Sequence, residues 1–495
     1  MLSIFVGRPT ITRPLHREKM DQTGTSHPLI VDLDGTLTKT DLLIESFFSL
    51  LKKNPFYVLA IPFWLLRGKA YLKRQISRRV TLDVRVLPYH RQLLGYLTEQ
   101  HTLGRRLILA TGSDEGIALQ VAEHLRLFDG VLASDGAVNL THQTKKRRLV
   151  KEFGEKGFDY AGNERGDLEV WSSARRAIVV DAAESVVQRA ARVTEIEKVF
   201  SRRKGLLKPY VEAMRLHHWL KNILVFAPLM LAHRYNEPDL VGSAVLAFLS
   251  FGLSASCVYI INDLVDLPAD RCHPRKRMRP FAFGELSPLA GLVLAPLLFA
   301  ASFCLAGYLP LPFAAILLLY FLLNLGYSFT MKQIPVLDVI VLAGLYTLRI
   351  LAGSAAVSIW PSAWLAAFAM FIFFSLALVK RYAEMVLVQR EQGRNFAVRG
   401  YLDIDRELLS SMGAGSGYLA VLVLAMYISS GAAQILYTRQ EFIWLLCPLL
   451  LYWISYVWLI AHRGRMEDDP LMFAVRNPVS QIVGALAVVI VVMAR

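Results

Sequence analysis

The chain has 495 residues, 54% of them hydrophobic, with a formal charge of +15 and a mean hydropathy of +0.40. That length argues for more than one domain, and that hydropathy excludes a wholly soluble protein. Four scattered cysteines (Cys257, Cys272, Cys304 and Cys447) without ligand spacing exclude a disulfide framework and a cysteine metal centre.

Residues 1–26 read as a polar, basic tail, and no signal peptide is expected because no apolar core precedes residue 28. From residue 27 to 205 short β-type runs alternate with helical stretches. The expected strands are Leu29–Leu33, Arg106–Ala110, Gly130–Ala133, Phe158–Ala161 and Ala177–Val180, which predicts a Rossmann-like α/β domain with a parallel sheet. A helical cap is expected at about 42–95. Inside it, Phe56–Leu66 is too short to span a bilayer and lies between basic residues. It reads equally as an amphipathic helix on the membrane surface or as a buried cap helix.

The first strand runs Ile30-Val31-Asp32-Leu33-Asp34-Gly35-Thr36-Leu37. Two carboxylates two residues apart at a strand end can act as nucleophile and proton donor around one magnesium, although Asp-Gly also makes ordinary turns. A second strand ends in Thr111-Gly112-Ser113, then come Lys145 and Gly162-Asn163-Glu164-Arg165-Gly166-Asp167. The series resembles the haloacid dehalogenase (HAD) superfamily, near its phosphoserine-phosphatase-like members. The resemblance implies Asp32 as nucleophile, Asp34 as acid/base, Thr111 and Lys145 on the phosphoryl group, and Mg2+ on Asp32, Asp34 and Asp167. Lys146 and Lys151 compete in sequence with Lys145. Asn163 stands where the family carries an aspartate, which weakens the implied metal site; a degenerate scaffold is the competing reading.

From 206 to 495 nine candidate spans, near 217–233, 240–261, 287–307, 311–329, 335–357, 362–379, 413–432, 442–461 and 477–494, predict an all-α polytopic membrane domain. No short internal repeat is evident. Basic residues crowd alternate loops (Arg271–Arg279, Lys332, Lys380–Arg406, Arg463–Arg476), whereas the other loops hold little beyond Arg234 and Arg439. That asymmetry places the α/β domain and the Asp-rich loop on the same, cytoplasmic side of the membrane.

Asn262, Asp266 and Asp270 recur every four residues after the apolar run Leu240–Ile261, on one face of a continuing helix. Carboxylates cost about 2.5–3.5 kcal/mol each at a bilayer centre, so the cluster demands partners. Arg271, Arg275, Lys276, Arg277 and Arg279 follow, and together they fit a magnesium–diphosphate site rather than a solvated loop. Other polar groups fall at the same ends of the spans: Lys221 and Asn222, Tyr327 and Lys332, Asp338, and Lys380-Arg381-Tyr382-Ala383-Glu384. Arg349 lies within a span and is expected to face a cavity or to pair with an acidic neighbour. The Lys380–Arg381 pair also reads as a simple inner-face anchor. The loop Arg465–Asp469 reads either as an addition to this polar chamber or, by a slight preference, as a solvent loop.

From about Pro209 onward the chain resembles the UbiA superfamily of intramembrane prenyltransferases. The string Tyr259–Pro280, with Trp219-Leu-Lys-Asn222, Leu348-Arg349-Ile-Leu-Ala-Gly353 and Lys380–Glu384, looks like its decaprenyl-phosphate phosphoribosyltransferase branch. The resemblance implies phosphoribosyl diphosphate as donor and a polyprenyl phosphate as acceptor. It implies Mg2+ on Asn262, Asp266 and Asp270, with Asp266 and Asp270 catalytic. Lys221, Arg271, Lys276, Arg279, Lys332, Arg349, Lys380 and Arg381 would bind phosphates, and Asn222, Tyr259, Asp263, Tyr327, Asp338, Tyr382 and Glu384 would complete the site. Aromatic prenyltransferases carry paired aspartates where this chain has Lys380–Glu384, with two cations and one carboxylate.

The implied enzyme moves 5-phosphoribosyl to the lipid phosphate and releases diphosphate. The HAD-like domain then removes the 5-phosphate, giving polyprenyl-phosphoribose for cell-envelope glycan synthesis. Membrane lipids are expected partners, a homo-oligomer is compatible, and nucleic acid is not expected because the basic residues track the inner loops. One alternative is a prenyltransferase with an aromatic acceptor. A transporter is disfavoured because the outer ends, Gly307–Pro312 and Ser358–Ser362, are nearly uncharged.

Overall fold

The computed structural model describes residues 27–134, 139–201, 205, 207–392, 397–431, 436–466 and 469–495. The expected tail 1–26 and the border at residue 206 lie outside the described residues. The chain divides into two compact units, one holding 27–37, 90–134 and 139–201, the other 38–89 and the described residues from 205 on.

The first unit is built on a six-stranded, all-parallel sheet of order β3-β2-β1-β4-β5-β6: β1 Leu29–Val31, β2 Leu107–Asp114, β3 Gly130–Ser134, β4 Asp159–Gly162, β5 Arg176–Val180 and β6 Glu195–Phe200. β1 pairs with both neighbours, Leu29 opposite Leu107 and Asp159, and all three of its residues are buried. An unbroken apolar run is what a central parallel strand requires, since helices cover both faces. Trp171, Phe158, Tyr160 and Leu149 fill the core beside it. β6 was not legible in the sequence. It is an edge strand, exposed at Glu195, Lys198 and Val199, so it lacks an apolar signature.

In the second unit seven helices are long and apolar enough to cross a membrane among the described residues. They are Pro238–Val265, Pro288–Ala306, Leu311–Phe329, Leu337–Val357, Ala363–Arg390, Asp403–Ile428 and Gln440–His462. Pro470–Arg476 and Pro478–Ala494, bent by 79°, make an eighth if counted as one span. The count of nine is corrected at the first expected span, 217–233. There Leu216–Phe226 is a 3-10 helix and Ala227–Leu231 a short α-helix. Its polar residues His217, His218, Lys221 and Asn222 suit a cavity lining better than lipid, and Pro228 removes a donor. Irregular backbone at membrane depth persists only where protein covers it. Here Trp219 donates from Nε1 to Ser256 Oγ at 2.9 Å, and the Val225 carbonyl lies where a Gly353 Cβ would be. Gly353→Val should therefore cost about 1–3 kcal/mol by overpacking. A lowered melting temperature of the detergent-solubilised protein checks this, with Gly344→Ala, whose Cβ would meet open space, as the unaffected control.

Segment 38–89 carries the helix Leu42–Lys53, capped by Asp41, whose Oδ1 accepts from Leu43 N at 2.9 Å. Phe48 packs in one apolar cluster with Cys257, Ile260, Leu264 and Phe281, within the same unit. For 56–66 the buried-cap reading is overturned: Phe56, Phe63 and Leu66 are 77%, 70% and 85% exposed. An exposed apolar stretch beside Arg67, Lys69 and Arg74 leaves the membrane-surface reading. Of the cap expected at about 42–95, residues 90–95 belong to the sheet unit, where the helix Arg91–Thr102 begins.

Candidate active sites

The helix Pro238–Val265 stops at Asp266 (φ −95°, ψ 8°), and Leu267–Cys272 begins a new turn of helix with Pro268 near its start. Pro268 has no N–H for the Leu264 carbonyl, so the single continuous helical face expected for Asn262, Asp266 and Asp270 does not form. The four-residue spacing survives the break, because Asp266 N donates to Asn262 O (2.9 Å) and Asp270 N to Asp266 O (2.8 Å). Each carboxylate meets cations. Lys52 Nζ reaches Asp266 Oδ1 at 2.7 Å and Lys332 Nζ reaches Oδ2 at 2.9 Å. Arg279 bridges Asp270 (2.6 Å) and Asp263 (3.1 Å), and Arg215 pairs with Asp263 as well. Burial holds Lys276 below the usual lysine range, with Asp270 opposing and Arg279 adding to the effect.

A second polar group centres on Asp469. Its Oδ2 accepts from Lys221 Nζ and Lys380 Nζ, each at 2.8 Å, and its Oδ1 from the Tyr346 hydroxyl at 3.1 Å. The expectation of a solvent loop is overturned for Asp469, whose side chain is 8% exposed; Glu467 and Asp468 lie outside the described residues. The missed signal was the Asp-Pro pair, since Asp469 Oδ1 also caps the helix Pro470–Arg476. Arg349 is buried, donating from Nε to Asn222 Oδ1 (2.9 Å), from Nη1 to Leu345 O (2.5 Å) and from Nη2 to the Tyr320 hydroxyl (2.9 Å). Its guanidinium also faces the Tyr346 ring at 5.3 Å. Among the described residues no carboxylate pairs with it, so the expected acidic neighbour is not there.

Several expected site residues are held elsewhere. Arg271 is forked onto Glu45 at 2.8 and 2.5 Å. Arg381, fully buried, donates from Nε to Asp338 Oδ2 (2.8 Å) and pairs with Glu384, while Tyr401 donates to Asp338 Oδ1 (2.6 Å). Arg399, unforeseen, joins Glu384 (3.3 Å) to the Tyr327 hydroxyl (3.1 Å). Tyr382 contacts His462 Nδ1 at 2.9 Å, and Tyr259 stacks under Arg215 at 5.2 Å.

In the sheet unit the expected residues gather at the C-terminal ends of β1, β2 and β4, where open α/β sheets place their sites. Lys145 Nζ donates to Asp32 Oδ1 (2.6 Å) and to the Tyr160 hydroxyl (3.0 Å), and Tyr160 donates to Asp167 Oδ1 (2.9 Å). Thr111 and Ser113 hydroxyls donate to Asp34 Oδ2 at 3.2 and 2.6 Å. Lys146 instead donates to Ser172 Oγ, and Lys151 is exposed, which leaves Lys145 as the lysine at Asp32. Burial pushes the Asp32 carboxyl up to about 7, against the pull of Lys145. Asn163 accepts from the Thr36 hydroxyl at 3.1 Å, and Gly35 (φ +75°) turns the chain where any Cβ would strike Asn163.

The profile of the UbiA prenyltransferase family matches residues 223–491, more than half of the chain. The chain belongs to the UbiA prenyltransferase family. With its seven or eight apolar helices, this UbiA-family protein is a multi-pass membrane enzyme of the prenyltransferase type. It is 34% identical over 473 residues to the uncharacterized protein y4nM of Sinorhizobium fredii, covering 94% of this chain and 91% of that one. It is 37% identical over 274 residues to the nodulation protein NoeC of Azorhizobium caulinodans (54% of this chain, 87% of that one). It is 35% identical over 191 residues to the decaprenyl-phosphate phosphoribosyltransferase of Mycolicibacterium smegmatis (38% and 60%).

The UbiA-family Asp cluster suits magnesium by donor chemistry. Among the described residues no three Asp, Glu, His or Cys side chains converge on one point. Magnesium asks for less, since it commonly takes one or two carboxylates and completes its shell with water and substrate phosphates. Asp263 Oδ2 is buried without a hydrogen-bond partner, an oxygen with spare capacity in that cluster. In the sheet unit Asp167 is fixed in orientation, Oδ1 accepting from the Tyr160 hydroxyl (2.9 Å) and Oδ2 from Asn163 N (2.9 Å) and Glu164 N (3.1 Å).

Proposed function

We propose that this UbiA-family enzyme transfers 5-phosphoribosyl from phosphoribosyl diphosphate to a polyprenyl phosphate at the cytoplasmic face of a bacterial inner membrane. The observation that carries this reading is the surplus of cations around the site. Lys52 and Lys332 share Asp266, Lys221 and Lys380 share Asp469, and Arg349 has no carboxylate at all among the described residues. A donor with a diphosphate and a 5-phosphate brings more negative charge than a prenyl diphosphate does, and cations held in fixed positions recognise it. Similarity to a decaprenyl-phosphate phosphoribosyltransferase supports the same choice.

In this mechanism the bond from the anomeric carbon to the diphosphate oxygen breaks, its electron pair leaving with diphosphate, as a lipid-phosphate oxygen bonds to that carbon. The acceptor is already anionic, so no strong base is required. Magnesium on Asn262, Asp266 and Asp270 would neutralise charge on the leaving group. Lys221, Lys276, Lys332 and Arg279 hold donor phosphates in place. In the sheet unit Asp32 attacks the 5-phosphate phosphorus, Asp34 protonates the departing ribose oxygen, and water then releases inorganic phosphate. Thr111 and Lys145 hold the phosphoryl oxygens. The product is polyprenyl-phosphoribose, a building block for cell-envelope glycan.

The test is donor competition in membranes containing the protein. Phosphoribosyl diphosphate should release diphosphate in a reaction that needs a polyprenyl phosphate, and geranyl diphosphate should neither react nor compete. Consumption of geranyl diphosphate alone would overturn the reading. Chelation with EDTA should stop both transfer and phosphate release, and added Mg2+ should restore both.

A further inference from the structure

We propose that the helix Leu42–Lys53, which follows β1 and Asp32 in the chain, is a working part of the membrane site, with Lys52 a ligand for the donor's phosphates. The proposal rests on the donor site described above. Lys52 and Lys332 bracket Asp266 from opposite oxygens, at 2.7 and 2.9 Å. Were Asp266 to hold magnesium with the donor's diphosphate, Lys52 would exchange its carboxylate partner for a phosphate oxygen. Ammonium-to-phosphate contacts of this kind are charge-assisted and strong.

Two further contacts fix the helix at this place, and all three lie on one of its faces. Glu45, Phe48 and Lys52 follow a three-then-four spacing. Glu45 takes the fork of Arg271, the residue directly after Asp270, in a pair whose side chains are 2% and 5% exposed. Phe48 is buried against Cys257 and Leu264, on the span that ends at Asp266. Separating such a buried ion pair leaves two uncompensated charges, so the helix does not come and go freely. Lys53, one residue on, turns away to the Arg79 carbonyl at 3.3 Å. It carries the same charge without the same placement.

The experiment uses the purified full-length chain, with initial rates of diphosphate release at saturating Mg2+ and polyprenyl phosphate. Lys52→Ala is expected to raise the KM for phosphoribosyl diphosphate by about 10- to 100-fold, with a smaller change in kcat. Lys52→Arg should recover most of the loss, and Lys53→Ala should match wild type. Inorganic pyrophosphate titrated by calorimetry should bind more weakly to Lys52→Ala by the same factor. If Lys52→Ala is poorly folded, Lys52→Gln carries the same expectation. A Lys52 variant that melts like wild type and is indistinguishable from Lys53→Ala, while Asp266→Asn is inactive, overturns the role of Lys52 alone. Full activity in Asp266→Asn would remove the donor site itself.

Discussion

Converting Asp266 and Asp270 together to asparagine should lower phosphoribosyl transfer by about 10³-fold or more, a loss in kcat rather than in donor affinity. The reason is electrostatic. Each fixed group aimed at charge that develops in the transition state is typically worth about 10²–10³ in rate. The variant keeps Lys52, Lys332 and Arg279, so the pocket stays anion-attracting and the KM for the donor should hold or fall. Freed of their carboxylates, those cations also repel one another, so a lower melting temperature is expected and must be measured beside the rate. Asp239→Asn, at the opposite end of the same helix, separates loss of charge in general from loss of these two carboxylates. Turnover at the wild-type rate with Mg2+ dependence intact would remove the basis of the assignment.

Much of this was legible in residues 27–200 because the signals are local. Asp32, Asp34, Thr111 and Asp167 sit at the ends of buried apolar runs, and a parallel sheet brings such ends together. The choice among three neighbouring lysines stays open in the sequence and is made by burial, since Lys145 lies on the buried side of His142–Phe153 and Lys146 does not. The membrane site was only half legible. Its motif was visible at Asn262–Asp270, but Asp469 and Lys52 lie about two hundred residues away on either side, and nothing local marks them as neighbours of that motif. Hydropathy also counts apolar length without seeing backbone regularity. It therefore took residues 217–233 for a spanning helix, although Trp219 and Val225 pack as a 3-10 segment against two neighbouring helices. Arg381 and Arg271 show the converse error. Their spacing from the acidic motifs suggests phosphate contacts, while Asp338 and Glu45, remote in sequence, hold them in buried pairs.

Asp32→Asn should separate the two proposed steps. Asparagine keeps the shape and can still accept a hydrogen bond from Lys145, but its amide is not a nucleophile towards phosphorus. Phosphate release should fall by about 10³-fold or more, because loss of a nucleophile leaves only binding and electrostatic contributions. Transfer in the membrane unit should continue at its wild-type rate. Wild-type protein given polyprenyl phosphate, Mg2+ and phosphoribosyl diphosphate should therefore yield the dephosphorylated lipid, and the variant should accumulate the lipid with its 5-phosphate. Mass spectrometry of the extracted lipids distinguishes them by one phosphate. Asparagine leaves the buried Lys145 ammonium without its counter-charge, so a lower melting temperature is expected and is measured beside the rates, while the continuing transfer activity shows that the chain is folded. Equal amounts of phosphorylated lipid from both would mean that the sheet unit does not act on this product, and the Asn163 substitution would then be the first place to look for the cause.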